Sequence, residues 1–451
     1  MQHCCGRRCG QCTVVTKSMN KQREHSASVS KCEQMPMNYL KMMEQQDPEK
    51  IALIESGVPY TYGKLVSLAY AYAAKKGLTL QKSLEGAKLY FIQESKILDQ
   101  LVAFLACGAG ERIPLILPKD MKELPEEKAV PKGVCMAVTT SGSTGIPKIL
   151  FRTYESWFAY FSIQNSVFGI TKNSRLFVQG SLSFTGNLNL YMAQFSVGAT
   201  VIAENKFLPK KWIEQMERYE ADTMYLIPSK LLCLPKIMKQ PNTRVKNIIS
   251  GSQSLGKKDA DLLKTYFPNA RIVLYYGASE LNYISYVTDS EMTDERNLVG
   301  KPFPKVQIEV DDGEIYVTTR YHVEGIKCPY TLRDRGYMDD EGNLYFDGRS
   351  DDIVNIRGRK VSTYKIESSC NELIEIVESA VIRRMDGERE YLAAYLVPTK
   401  EEYKDARRLR EKLSNKLAPF EIPGQMVFVE KLPKKESGKI DKEKLTHFDV
   451  F

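Results

Sequence analysis

Between residues 139 and 148 the chain reads Thr139-Thr-Ser-Gly-Ser-Thr-Gly-Ile-Pro-Lys148, which gathers four or five hydroxyls and two glycines and closes on a cation. The glycines let a backbone approach an anion closely, and the hydroxyls and main-chain N–H groups can donate to phosphate oxygens. Lys148 adds a compact positive charge. This is the composition of a phosphate-gripping turn built on Thr140, Ser141, Gly142, Ser143, Thr144, Gly145 and Lys148. No Gly-Lys-Ser/Thr closes it before a helix, so it is not a Walker-type loop. A flexible hydroxyl-rich linker has the same composition, and on this segment alone the two readings stand level. Four more segments carry carboxylates or cations in glycine-marked turns. They are Tyr276-Gly-Ala-Ser-Glu280, Tyr330-Thr-Leu-Arg-Asp334, Gly348-Arg-Ser-Asp-Asp352 with Arg357-Gly-Arg-Lys360, and Leu432-Pro-Lys-Lys-Glu-Ser-Gly-Lys-Ile-Asp441.

Elements to hold these segments are legible in the apolar pattern. Val134-Cys-Met-Ala-Val reads as a strand running into the hydroxyl-rich turn. Ile51-Ala-Leu-Ile, Thr200-Val-Ile-Ala, Thr223-Met-Tyr-Leu-Ile, Val245-Lys-Asn-Ile-Ile and Arg271-Ile-Val-Leu-Tyr are short β-rich runs separated by helix-length stretches, one of them Leu65 to Ala74. That alternation predicts an α/β sheet. After about Val310 the texture changes to a meander, with Glu314-Ile-Tyr-Val and Asn343-Leu-Tyr-Phe between Asp-Gly and Glu-Gly turns. Beyond Ser350 a smaller α+β unit follows, with a helix expected near Glu401 to Leu417 from the spacing of Tyr403, Ala406, Leu409, Leu413 and Leu417.

A chain of 451 residues with 43% hydrophobic and 27% charged residues is too long for one core, so at least two domains are expected. The formal charge of +8 does not argue for nucleic acid, because residues 1–36 hold six Lys/Arg against two Glu and so carry half of it. The longest apolar stretch, Leu101 to Gly110, is about half of a membrane span. Five of the ten cysteines lie in the first 36 residues and the others are scattered, which reads as reduced thiols in a cytoplasmic enzyme. Cys4, Cys5, Cys9 and Cys12 beside His3 could supply half of a zinc knuckle. No second ligand pair follows, and a disordered extension over 1–36 is the better reading.

At these five segments, in this order, the chain resembles the adenylate-forming superfamily of acyl-CoA synthetases, peptide-synthetase adenylation domains and firefly luciferase. The resemblance runs from about Met37 to the C-terminus. It implies a large ATP- and acid-binding domain over 37–349, with α/β sheets and a small β-meander, and a small mobile α+β domain over 350–451. The implied activity is ATP- and Mg²⁺-dependent conversion of a carboxylic acid to acyl-AMP, followed by transfer to a thiol. The Thr140–Lys148 loop would hold the β- and γ-phosphates, Tyr276 and Gly277 would border the adenine, and Ser279 would sit by the α-phosphate. Glu280 would ligate Mg²⁺. Ser250, Gly251 and Ser252 would line the adenine pocket, and Asp334 would accept from both ribose hydroxyls. Arg349 would reach the ribose or phosphates from beside a hinge at Asp351. Lys439 would be the catalytic cation, bridging carboxylate and α-phosphate at the moment of transfer. Lys434, Lys435 and Lys442 read as solvated neighbours.

The chain departs from the family pattern in three places. Leu332 and Arg333 stand where Thr and Gly are usual, which leaves open whether the arginine strengthens a phosphate contact or crowds it. The chain is also shorter than typical members between Pro118 and Thr139. Phe184-Thr185 replaces the Phe-Asp of amino-acid-activating members, so a substrate ammonium would lack its partner. Phe184, Leu182 and Leu188 favour an apolar or aromatic acid. The thiol is expected to belong to coenzyme A, with the phosphopantetheine of a separate carrier protein as the alternative. A nucleotide-binding relative without catalysis is a third reading, opposed by the presence of both Lys439 and Glu280.

Overall fold

The computed structural model describes residues 38–78, 87–110, 112–126, 128–140, 148–295, 297–356, 358–387, 389–434 and 440–447. The cysteine-rich extension, the interior of the hydroxyl turn from Ser141 to Gly145, Arg357 and the Lys439 segment lie outside these. The alternating apolar runs, joined by the unexpected strand Arg175–Gln179 (β2), become Ile51–Glu55 (β1), Thr200–Glu204 (β3), Thr223–Tyr225 (β4), Asn247–Gly251 (β5) and Arg271–Ala278 (β6). They lie parallel in the order β6-β5-β4-β2-β3-β1, toward one end of a 13-stranded sheet. Strands buried on both faces need continuous apolar sequence. Leu176 to Val178, Val201 to Ala203 and Ile248 to Ile249 supply it.

From β6 the sheet turns antiparallel through Asn282–Thr288 (β7) into a meander that includes Tyr330–Met338 (β8) and Leu344–Arg349 (β9). A second sheet of four strands ends in the hairpin Val134–Thr140 with Lys148–Thr153. The meander thus starts near Asn282, earlier than the change of texture at Val310 suggests. The antiparallel β6/β7 pair begins while the sequence is still densely apolar.

The expected first helix spans Tyr62–Lys75, started by Thr61, whose hydroxyl accepts from the Lys64 N–H. The apolar stretch at Leu101 belongs to the helix Ile97–Cys107, buried nearly all round. The Glu55 carboxylate accepts from the N–H groups of Ile97 at 2.8 Å and Leu98 at 3.2 Å at its start. Such a helix belongs inside a core, and among the described residues no helix is long and apolar enough to cross a membrane.

The smaller α+β part pairs Ile376–Asp386 with Arg389–Pro398 and adds Gln425–Phe428 in parallel. The helix expected over 401–417 is shorter, Ala406–Ser414, because the Asp405 carboxylate accepts from the Arg407 and Arg408 N–H groups and sets its start there. Leu409, Leu413 and Leu417 are buried as the spacing requires.

Lys442 is not the solvated residue that its surroundings suggest. Its ammonium lies 2.8 Å from the largely buried Glu367 and 3.8 Å from Asp352, and donates to the Thr363 hydroxyl. The Glu367 carboxylate also accepts from the Val381 N–H. One lysine thus joins the chain's last helix to the start of the small unit. Burial lifts the Glu367 carboxyl above the ordinary glutamate range, and Lys442 pulls it back. A raised folded-state value gives stability below the ordinary range near 4.5 that is lost as pH rises through the raised value. Removing the lysine raises it further. Lys442→Met should therefore unfold about 2 kcal/mol more easily at neutral pH, below the figure for a fully buried pair because Lys442 keeps some solvent contact. Urea unfolding across pH checks this, and the deficit should shrink as pH falls toward 4.5.

Candidate active site

The end of β6 and the β8/β9 hairpin meet at one carboxylate. Register places Asp334 opposite Arg349, and the guanidinium Nε donates to Asp334 Oδ1 at 3.1 Å. The Tyr276 hydroxyl donates to Oδ2 in a very short hydrogen bond. Asp334 is 4% exposed. Burial raises its carboxyl above the ordinary aspartate range, and the hydrogen bond from Tyr276 and the charge of Arg349 oppose the rise. The Tyr276 ring is fixed against Phe346, with centroids 5.5 Å apart. Gly277 lies at an irregularity in the β6/β7 register, where a Cβ would come within 2.3 Å of the Asn282 carbonyl oxygen. Only glycine lets the two strands close there.

Arg333 adopts φ 59°, the left-handed conformation that the usual glycine would take without strain. Its side chain is exposed, and its N–H donates to the Thr331 hydroxyl. The substitution therefore costs backbone strain but does not crowd Asp334. Leu332 packs against the main core.

Beneath the Tyr276–Glu280 turn lies a residue that sequence reasoning missed. Arg152, on the strand Lys148–Thr153, is fully buried and has no carboxylate within ion-pair distance among the described residues. Its guanidinium donates to the carbonyls of Ser279 at 2.6 Å, Tyr321 at 3.0 Å and Ser156 at 3.1 Å. Asn282 donates to the same Ser156 and Tyr321 carbonyls, and Asn189 links Asn282 to the Trp157 indole. Burial lowers the Arg152 value to about 10, so it stays cationic at neutral pH. The Val323 and Glu324 N–H groups bond to the Glu280 and Phe151 carbonyls, closing the same junction. The available signal was a lone arginine between Phe151 and Thr153 on an otherwise apolar strand.

The other nominated residues divide. Thr140 and Lys148 are cross-strand partners, so the two ends of the hydroxyl turn are held together, and Lys148 is exposed. Thr185 opens the helix Thr185–Ser196 (α1), with Phe184 just before it, and the Ser279 hydroxyl donates to the Thr185 hydroxyl at 3.3 Å. The Ser250 side chain turns away into the sheet, donating to the Leu226 carbonyl. Of its neighbours, Gly251 is buried and Ser252 is exposed in a left-handed conformation. Leu182 and Leu188 are buried in the main core. Asp351 lies in a short 3-10 turn, Ser350–Asp352, at the edge of the small unit.

Among the described residues no cluster of three His, Cys, Asp or Glu could hold a resident metal. Glu280 offers one carboxylate. That donor set suits Mg²⁺ shared with substrate phosphates, since this ion takes one or two protein carboxylates and keeps several waters.

Comparison with known proteins agrees with this arrangement. The family model described as AMP-binding enzyme matches residues 108–325, and its C-terminal domain model matches 365–439, together more than half of the chain. The uncharacterized acyl–CoA ligase YhfT of Bacillus subtilis is 28% identical over 323 residues, covering 68% of this chain and 67% of its own. The putative long chain fatty acid-CoA ligase VraA of Staphylococcus aureus is 25% identical over 322 residues, covering 68% and 69%. The O-succinylbenzoate coenzyme A synthetase MenE of Bacillus subtilis, solved with ATP and magnesium, superposes with a TM-score of 0.75 at 19% identity, over 89% of this chain and 98% of that one. At that identity the likeness speaks for the fold. With an α/β sheet domain, a smaller α+β unit and both family models matched in order, the chain belongs to the adenylate-forming, AMP-binding enzyme superfamily.

Proposed function

We propose that this chain joins a carboxylic acid to coenzyme A through an acyl-adenylate, consuming ATP. The observation that carries the reading is the convergence of Tyr276, Asp334 and Arg349 beside the Ser279–Glu280 turn, in a chain of this superfamily. Asp334 would accept the ribose hydroxyls, since each carboxylate oxygen keeps a free lone pair beyond those used by Tyr276 and Arg349. Tyr276 would lie along the adenine. Thr140, Lys148 and the turn between them would hold the terminal phosphates. Mg²⁺, held by Glu280, would offset charge on the departing pyrophosphate.

In the first half-reaction a carboxylate oxygen attacks the α-phosphorus, the bond to the β-phosphate oxygen breaks, and pyrophosphate leaves. Ser279 and Thr185 would orient the carboxylate at this point, and Lys439 would neutralise charge as the new bond forms. In the second, the thiol sulfur attacks the acyl carbonyl, AMP leaves and the thiol proton passes to solvent. Rotation of the small unit about Asp351 between the two halves would exchange Lys439 for a surface that admits the thiol. The likeness to YhfT and VraA, both named as CoA ligases, supports coenzyme A over a carrier-protein phosphopantetheine. The absence of an aspartate at Thr185 supports an acid without an α-ammonium group.

Acid-dependent exchange of labelled pyrophosphate into ATP should occur with a non-amino acid, and Lys439→Ala should lower it by at least about a hundredfold. Equal exchange in the variant would remove Lys439 from this role, and exchange confined to amino acids would overturn the Thr185 argument. Thioester formation with coenzyme A alone, without any carrier protein, settles the acceptor.

Arg152 is read as a positioning residue that holds the Ser279–Glu280 turn. Arg152→Met leaves the Ser279 carbonyl without its donor, at about 1–3 kcal/mol, and reduces the Ser156 and Tyr321 carbonyls to the single donor Asn282. The variant should therefore lose about 3 kcal/mol in a denaturant titration. Its kcat should fall more than its KM for ATP changes, with partial recovery in Arg152→Lys.

A further inference from the structure

The first turn of α1 lies against Tyr225 at the end of β4 and Tyr275 in β6. Gly186 lies in that first turn, and a Cβ there would stand 2.7 Å from the Tyr225 hydroxyl, 3.0 Å from the Phe184 ring and 3.3 Å from the Tyr275 hydroxyl. On the facing wall Gly251 ends β5, and a Cβ there would stand 2.6 to 2.8 Å from the Tyr275 ring. Gly186 thus presses on both tyrosines and Gly251 on Tyr275, and neither position has room for a methyl group.

The tyrosines are held in place. Their hydroxyls lie 2.9 Å apart and their rings are stacked at 6.3 Å. Tyr275 meets Tyr283 edge-on at 4.7 Å and leans on Phe168 at 5.9 Å, while Tyr283 stacks on Phe303 at 5.3 Å. All are buried. Rings packed this closely do not swing aside to admit a ligand without giving up contacts on every side. Directly beside them, Thr185 follows Phe184 and precedes Gly186, and Ser279 reaches its hydroxyl.

We infer that Tyr275 and Tyr225 form a plug that limits the length of the acid, so that the activated substrate is a short-chain carboxylic acid rather than a long-chain or aromatic one. The inference rests on the adenylation reading above, which places the reacting carboxylate at Ser279 and Thr185. A carbon chain that continues from there past Gly186 meets the two phenols packed against that glycine, so only a few carbons are accommodated.

The test is pyrophosphate exchange with straight-chain acids from acetate to dodecanoate and with benzoate, for the unaltered protein, Tyr275→Ala and Tyr275→Phe. The unaltered protein should favour the short acids over octanoate by on the order of a hundredfold in kcat/KM. Tyr275→Ala should raise kcat/KM for octanoate by on the order of tenfold or more, mainly through KM, because that phenol is then gone. Tyr275→Phe keeps the ring and should keep the unaltered length profile. Faster exchange with octanoate, dodecanoate or benzoate than with any short acid, in the unaltered protein, overturns the plug and leaves the adenylation reading standing. No exchange with any acid in any of the proteins overturns both. A melting curve separates a widened pocket from an unfolded one, and the unaltered protein's length profile decides the matter even where Tyr275→Ala does not fold.

Discussion

A guanidinium with no path to water, and with carbonyl oxygens instead of a carboxylate for company, sets the geometry of the crevice. Arg152 reaches from the hairpin that carries Lys148 to the Ser279 carbonyl, and so ties the putting-together of two sheets to the turn that ends in Glu280. A cation kept in such a place is costly unless its donors are used. Two of its nitrogens are used, and the carbonyls they reach are shared with Asn282. In the same junction Asn282 holds a left-handed conformation, and its carbonyl leaves Gly277 no room for a side chain.

The other fixed point is the Asp334 carboxylate. It collects a phenol from the parallel sheet and a guanidinium from its own hairpin, so the central sheet and the meander share one hydrogen-bonded centre. Opposing pulls act on its proton affinity, burial upward and its two partners downward. An acceptor in this condition has donors already aligned on it and still has lone pairs to offer.

Much of this was readable from residue order. The parallel strands are continuous apolar runs because both faces are covered, and the segments at Tyr276, Asp334 and Arg349 announced themselves by charged residues in glycine-marked turns. What escaped notice depended on the third dimension. Arg152 looks like one charge on an apolar strand until the carbonyls around it are placed. Tyr225 and Tyr275 look like ordinary strand residues until two glycines from other elements are found against them. Leu182 and Leu188 have the composition of a pocket wall, and only packing shows that they face the core. Lys442 sits in a run of charges that suggests solvent, and its buried partner Glu367 is far away in sequence.

The backbone of Lys434 pairs with that of Ile440, the Asp441 N–H bonds back to the Pro433 carbonyl, and the Lys434 ammonium is held by Glu378 at 2.9 Å. Fastened in this way at 434 and 440, the stretch 440–447 is one piece with the strand Ile376–Asp386 that carries Glu378, as a bucket is with its handle.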